Sequence, residues 1–196
     1  MVKDNQHGRS MVEVIGYMGA VMAIVAGVGK MVSGAYSDYK ISKASQQLSD
    51  LASAIVRAST TYPNYRETVQ NINDRTSEGL NLIPSTFRVA GSKTFHAFGG
   101  ETTLGTRDNM FYIRYDGLTR EQCIELGMKD WINNKIVDLA FLIVNGDDWC
   151  WPVNKGSEDE CLNTLPTKRS ILAGKDDDDD GQCNKETDNF IIWYFN

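Results

Sequence analysis

Glu13 is the third residue of an otherwise apolar run, Met11–Gly29 (MVEVIGYMGAVMAIVAGVG). A carboxylate costs about 2.5–3.5 kcal/mol at the middle of a membrane helix and less near its edge, so one placed there reads as functional by default. A second acidic feature is Asp176–Asp180, five aspartates followed by Gly181. Asp176, Asp178, Asp180 and Gly181 fit the first half of a calcium-binding EF-hand loop, but position twelve is Thr187 where a bidentate glutamate is needed. Calcium at these aspartates is therefore one expectation, and a solvated acidic loop is the plainer one.

Four cysteines, Cys123, Cys150, Cys161 and Cys183, fall in the C-terminal part of the chain. They form no C-x-x-C pair and have no histidine nearby, which argues against zinc. Downstream of a membrane-targeting segment, an even count reads as two disulfides in an oxidising compartment, with three pairings open. His7 and His96 are the only histidines. His96 has no motif around it and reads as a surface or half-buried residue. Trp149-Cys150-Trp151-Pro152 could offer an aromatic binding face, though such residues more often pack around a disulfide. Nothing resembles a phosphate loop, a Ser-His-Asp order or a paired-acid site, so no catalysis is expected and no cofactor beyond the candidate calcium. A net charge of −6 over 196 residues, with Lys and Arg scattered, gives no support to nucleic-acid binding.

These residues need elements to hold them. After Lys30 the pattern turns amphipathic without a break: Ile41, Ala44, Leu48, Leu51 and Ile55 recur at spacings of three and four. No proline appears before Pro63. The spacing predicts one helix from about Ser10 to about Ala58, greasy all round in its first half and striped in its second. Tyr62–Gly105 reads as loop-rich, with short strands at Thr86–Ala90 and Thr94–Phe98. Met110–Tyr115 has strand character and Asp116-Gly117 signals a turn. Thr119-x-x-Gln122 has capping-box form and opens a helix reaching about Asn133, with Ile124, Met128, Trp131 and Ile132 on its apolar face. Leu139–Val144 and Phe190–Phe195 are continuous apolar runs suited to buried strands. The expected class is α+β: a long N-terminal helix on an antiparallel sheet whose C-terminal region is disulfide-stapled.

The apolar run alone fits a secretory signal cut near Gly27-Val28-Gly29, a plain anchor, or something more specialised. Gly8-Arg9-Ser10-Met11-Val12-Glu13 resembles the class III signal of type IV pilins and pseudopilins. Phe111–Cys123, with its D-G-L-T and x-x-Q-C passages, is similar to type IVb pilins, the group of the toxin-coregulated pilin and conjugative thin-pilus subunits. Ser45-Gln46-Gln47-Leu48, Tyr62-Pro63, and Cys183 with Phe190–Phe195 resemble the same group. Arg9 stands where that family usually has Phe, Met or Leu.

The resemblance implies a leader at 1–8, an assembly and membrane helix at 9–29, its amphipathic half at 30–60 and a globular head at 61–196. It implies cleavage between Gly8 and Arg9 by a prepilin peptidase, N-methylation of Arg9, and subunit assembly through Glu13. It implies a Cys123–Cys183 staple, leaving Cys150–Cys161 to close a local loop. The implied role is a structural subunit stored in the bacterial inner membrane and polymerised by an assembly platform and its ATPase into an extracellular pilus. A minor pilin or type II secretion pseudopilin, and a membrane-anchored or secreted ligand-binding module, are the alternative roles.

Overall fold

The computed structural model describes residues 9–60, 64–107, 109–129, 131, 139–145, 147–149 and 182–196. Helix α1 runs Arg9–Ser59 as the periodicity predicts. Its end is closed by hydroxyls: Ser59 Oγ donates to the Val56 carbonyl and Thr60 Oγ1 to that of Arg57, both at 2.7 Å. Carbonyls left over at a helix end need such partners. By its contacts the chain falls into two units that meet between Lys40 and Ile41.

In the first unit every described side chain from Met11 to Tyr39 is exposed. In the second, Ala44, Leu48, Leu51, Ala52 and Ile55 of α1 are buried, the stripe that spacings of three and four dictate. They join one core with the inner face of a seven-stranded sheet.

The sheet comprises β1 (Arg88–Ala90), β2 (Lys93–Phe95), β3 (Glu101–Arg107), β4 (Met110–Leu118), β5 (Leu139–Val144), β6 (Asp147–Trp149) and β7 (Asn189–Phe195). All pairs are antiparallel and the order is β1-β2-β3-β4-β7-β5-β6. The last strand in the chain thus lies near the middle of the sheet. Alternation sends Phe111, Ile113, Tyr115 and Leu118 of β4 inward, and Phe111 stacks on its cross-strand partner Phe195 at 4.9 Å. This is the α+β arrangement expected, a long N-terminal helix on an antiparallel sheet, and it is compatible with a pilin-like fold.

Several local expectations are corrected. The stretch after α1 holds two short helices, α2 (Tyr65–Asn73) and α3 (Ser77–Leu82), capped by Asn64 and Thr76. The two short strands are trimmed to β1 and β2, and β3 was not anticipated. Asp116-Gly117 is no turn. The strand runs through it to Leu118, with two residues of β4, Asp116 and Gly117, against one of β7, Phe190, between the Tyr115–Ile191 and Leu118–Asn189 pairs. This is a β-bulge, and Gly117 supplies the left-handed backbone (φ +71) it uses.

Helix α4 (Arg120–Met128) starts on the expected capping box: Thr119 Oγ1 accepts from Gln122 N and Gln122 Oε1 from Thr119 N. It ends five residues earlier than its apolar face suggests. Lys129 is extended, and Trp131 Nε1 donates to the Leu126 carbonyl at 3.0 Å. Leaving the helix lets Trp131 bury itself edge-on against Trp193, and that burial outweighs another helical turn. Ile132 and Asn133 lie outside the described residues.

Cys123 of α4 is bonded to Cys183, 60 residues on, with Cα atoms 5.9 Å apart. The implied pairing is therefore present. Beside it, Asn189 is fully buried and uses all its amide capacity: Nδ2 donates to the carbonyls of Leu118 and Lys185, and Oδ1 accepts from Lys185 N and Asn145 Nδ2. Asn145 in turn binds Phe190 N and the Gln182 carbonyl. Closing a loop of this length is worth roughly 4 kcal/mol on the chain-entropy view. Cys123→Ser with Cys183→Ser should therefore lower the unfolding free energy of the full chain in detergent by about 2–5 kcal/mol. A denaturant titration measures it, and an unchanged midpoint would show the staple to be dispensable.

Candidate functional site

The first unit is a helix whose described large apolar side chains are exposed. Met11, Tyr17, Met22 and Met31 are each more than 70% exposed, and Val14, Ile15, Met18, Val21, Ile24, Val25, Val28 and Val32 more than half. From Glu13 onward this helix is long and apolar enough to cross a membrane, by length and composition. A continuous apolar surface of this size marks an interaction surface. Glycines 16, 19, 27, 29 and 34 keep it smooth: a Cβ at any of them would meet no neighbour.

Glu13 is exposed on this helix, at the rim of a shallow apolar groove formed with Val14, Tyr17, Met18, Val21 and Met22. One carboxylate in so apolar a setting can accept a charged hydrogen-bond donor from whatever packs there. Arg9 opens the helix four residues earlier. Gly8, the other residue of the expected cleavage site, lies outside the described residues. So do Cys150 and Cys161, whose expected pairing is left to chemistry, and the candidate calcium ligands Asp176, Asp178 and Asp180. Among the described residues no group of three or more His, Cys, Asp or Glu could hold a metal ion.

In the second unit a polar cleft of about 240 Å³ runs along α1 past Ser42, Ser45, Ser49 and Asp50 to Lys129. Burial pushes the Lys129 amine below its ordinary value. His96, the histidine among the described residues, does not line this cleft and is committed elsewhere.

Expectation also failed at His96, which is buried and not a surface or half-buried residue. Its Nδ1 faces the Phe98 N–H and its Nε2 lies 2.9 Å from the Asp116 carbonyl. Those partners assign the proton to Nε2, which donates to Asp116, and leave Nδ1 as acceptor. The ring stacks on Tyr115 at 4.5 Å. Gly100 makes this approach possible, since a Cβ there would run into both the Asp116 carbonyl and the imidazole.

Two further polar groups that sequence reasoning missed clamp α1 to the sheet. Gln47 is buried on α1, donates through Nε2 to the Thr86 carbonyl and accepts from Ala97 N at 2.8 Å. Tyr115 donates its hydroxyl to the Ala44 carbonyl at 3.2 Å. Burial and the Asp50 charge raise its pKa well above the usual phenol value, keeping that donor protonated. The only sequence signal was a glutamine inside an apolar stripe.

Burial lowers the His96 pKa below 6.5, outweighing the Asp116 carbonyl and carboxylate, which act to raise it. Above the unfolded value both states are neutral and the group is silent. Below it the unfolded chain binds a proton that the folded chain refuses, so stability falls with pH down to the lowered folded value. The thermal midpoint of the full chain in detergent should drop as pH goes from 7 to 5, and His96→Gln should flatten that slope. An equal slope in the variant would place the proton uptake on other groups.

No protein-family model matches the chain, and no curated protein matches it. Its functional reading therefore rests on its own residues.

Proposed function

We propose that the chain is a structural subunit of a type IV pilus, of type IVb character, made as a prepilin in the bacterial inner membrane and polymerised through α1 into an extracellular fibre. The observation that carries this reading is the change of character along one helix. Up to Tyr39 the described side chains of α1 are exposed and mostly apolar, with Glu13 the one carboxylate inside the Met11–Gly29 run, while beyond Ile41 the helix is striped and buried under a disulfide-bonded sheet.

The physics of storage and assembly follows from that helix. Its apolar half can be covered first by lipid and then by the same segment of neighbouring subunits. Lipid tails are about as apolar as neighbouring side chains, so the exchange between the two has little hydrophobic bias. A polar contact must then direct it. Glu13 supplies one by pairing with the free amine of Arg9 in an adjacent subunit, a charge pair strengthened where water is excluded. A single polar residue in an apolar seam fixes axial register, because every slipped arrangement buries it unpaired. The direct partners are other copies of the chain and the prepilin peptidase that frees the Arg9 amine. The assembly platform and its ATPase act through the membrane-held subunit. No reaction is assigned to the chain itself.

Mass spectrometry of the mature protein tests the processing step. A chain beginning at Arg9 is expected, whereas one beginning at Lys30 would mean ordinary secretion and an uncut chain a plain anchor. Glu13→Ala tests the assembly step. The variant should be inserted and cut normally, yet yield no fibres in sheared-pilus preparations. Normal pili from that variant would remove Glu13 from assembly.

A further inference from the structure

The apolar run Met11–Gly29 contains two residues with a side-chain oxygen, Glu13 and Tyr17. They lie four apart on a helix that is continuous from Arg9 to Ser59. Residues at that spacing are neighbours on one helix face, with Cβ atoms about 5–6 Å apart. Helical side chains tilt toward the N-terminus, so Tyr17 covers the turn from which Glu13 projects. Both side chains line one shallow groove, whose other walls are Val14, Met18, Val21 and Met22. Tyr17 is 76% exposed, which leaves its ring room to move along that groove.

A carboxylate in this setting has more acceptor capacity than one amine uses. Its two oxygens offer about four lone-pair sites. A charge pair taken out of water offsets its desolvation only when further hydrogen bonds occupy what the pair leaves over. The side chains of Val14, Met18, Val21 and Met22 have no N–H or O–H to give, and the helix ladder already uses the backbone donors beside them. Among the described residues that line the groove, the Tyr17 phenol is the one side-chain donor. Covering the groove makes the difference. With water present both groups are hydrated and a bond between them is worth little. Under lipid or a second helix either group left alone is costly, and an O–H donated to a carboxylate is among the stronger hydrogen bonds.

We propose that Tyr17 is the positioning residue for Glu13: its phenol donates to one carboxylate oxygen of the same chain and turns the other toward the Arg9 amine of the adjacent subunit. This rests on the pilus-subunit reading above and adds to it a residue that acts through Glu13. The bond forms in the bilayer, holds Glu13 in one orientation before a partner arrives, and persists in the fibre. The neighbour meets a carboxylate already aimed, so less ordering remains at the moment of docking. A tyrosine that only filled the groove would need its ring and not its hydroxyl.

Tyr17→Phe separates the two, because it keeps the ring and removes the hydroxyl. The variant should be inserted and cut normally, yet give about tenfold fewer sheared pili than the wild type, the effect of losing one hydrogen bond to a charged group. Tyr36→Phe removes another exposed phenol of α1, outside the groove, and should give pili at the wild-type level. Infrared spectra of the chain in phospholipid bilayers supply a readout that packing alone does not move. The Glu13 carboxyl band, identified as the one missing in Glu13→Gln, should shift in Tyr17→Phe and stay in place in Tyr36→Phe. Wild-type pilus yield from Tyr17→Phe, or a Glu13 band that this variant leaves in place, would overturn the proposal. Should the wild-type chain itself form no fibres, the subunit reading falls, and the Glu13 band still decides whether the phenol holds the carboxylate.

Discussion

Strand β7 is hydrogen-bonded along both edges, to β4 on one side and β5 on the other, and the second unit depends on that insertion. Without it the sheet is two pieces: a meander from β1 to β4, and the β5–β6 hairpin. Pairing Phe111 with Phe195 or Tyr115 with Ile191 closes a long loop, whose entropy must be offset before the contacts are gained. Three devices offset it. The Cys123–Cys183 bond brings the chain back to α4 just before β7 begins. The Asn145–Asn189 amide cluster then sets the approach, satisfying the backbone of Gln182, Lys185 and Phe190 where no regular ladder can. Finally the aromatic side chains of β7 fill the core: Trp193 meets Tyr115 and Trp131 edge-on, and Phe195 stacks on Phe111.

Helix α1 answers two demands with one backbone. Its regular hydrogen bonds need nothing from the surroundings, so side chains alone decide what covers it. Between Ile41 and Ser59 a narrow stripe suffices, because a sheet covers one face. Before Lys40 the described apolar side chains lie on every face and no part of the described chain buries them. Such a surface is costly in water and nearly indifferent to which apolar medium covers it. That indifference permits one segment to serve both in a bilayer and between subunits.

What could be read from the sequence was what depends on neighbours along the chain. The bounds of α1 follow from unbroken periodicity and the absence of proline, and those of β5 from a bounded run of β-formers. The Thr119–Gln122 capping box follows from two residues three apart. The Cys123–Cys183 pairing came from a resemblance and not from spacing, which left three pairings open. What escaped was set by tertiary contact. Helix α2 buries only Val69 and Ile72 as aliphatic anchors in nine residues, with Tyr65 half-buried against Phe111, and its cap Asn64 was its clearest local mark. The end of α4 is decided by where Trp131 finds a partner, and the bulge at Asp116-Gly117 by the register of β7. Within the candidate site Glu13 was legible because a carboxylate in an apolar run stands out.

The clamps on α1 show why a polar residue in an apolar seam recurs. Ala44, Leu48, Ala52 and Ile55 repeat at nearly one helical turn, so sliding α1 by about 5.4 Å would set apolar groups against apolar groups again. Hydrophobic contact alone discriminates weakly between those positions. Gln47 breaks the degeneracy, because its carboxamide meets both the Thr86 carbonyl and Ala97 N in one position only. The Tyr115 hydroxyl ties the same helix to β4 through the Ala44 carbonyl, although a backbone carbonyl recurs at every turn and does not itself choose the position. A slip of one turn would leave the Gln47 carboxamide and its partners unpaired, at about 1–3 kcal/mol for each buried group. Burial thus drives the helix onto the sheet, and the two hydrogen bonds of Gln47 choose where it stops. Glu13 in the other half of α1 meets the same degeneracy, and in the assembly proposed above the same kind of contact resolves it.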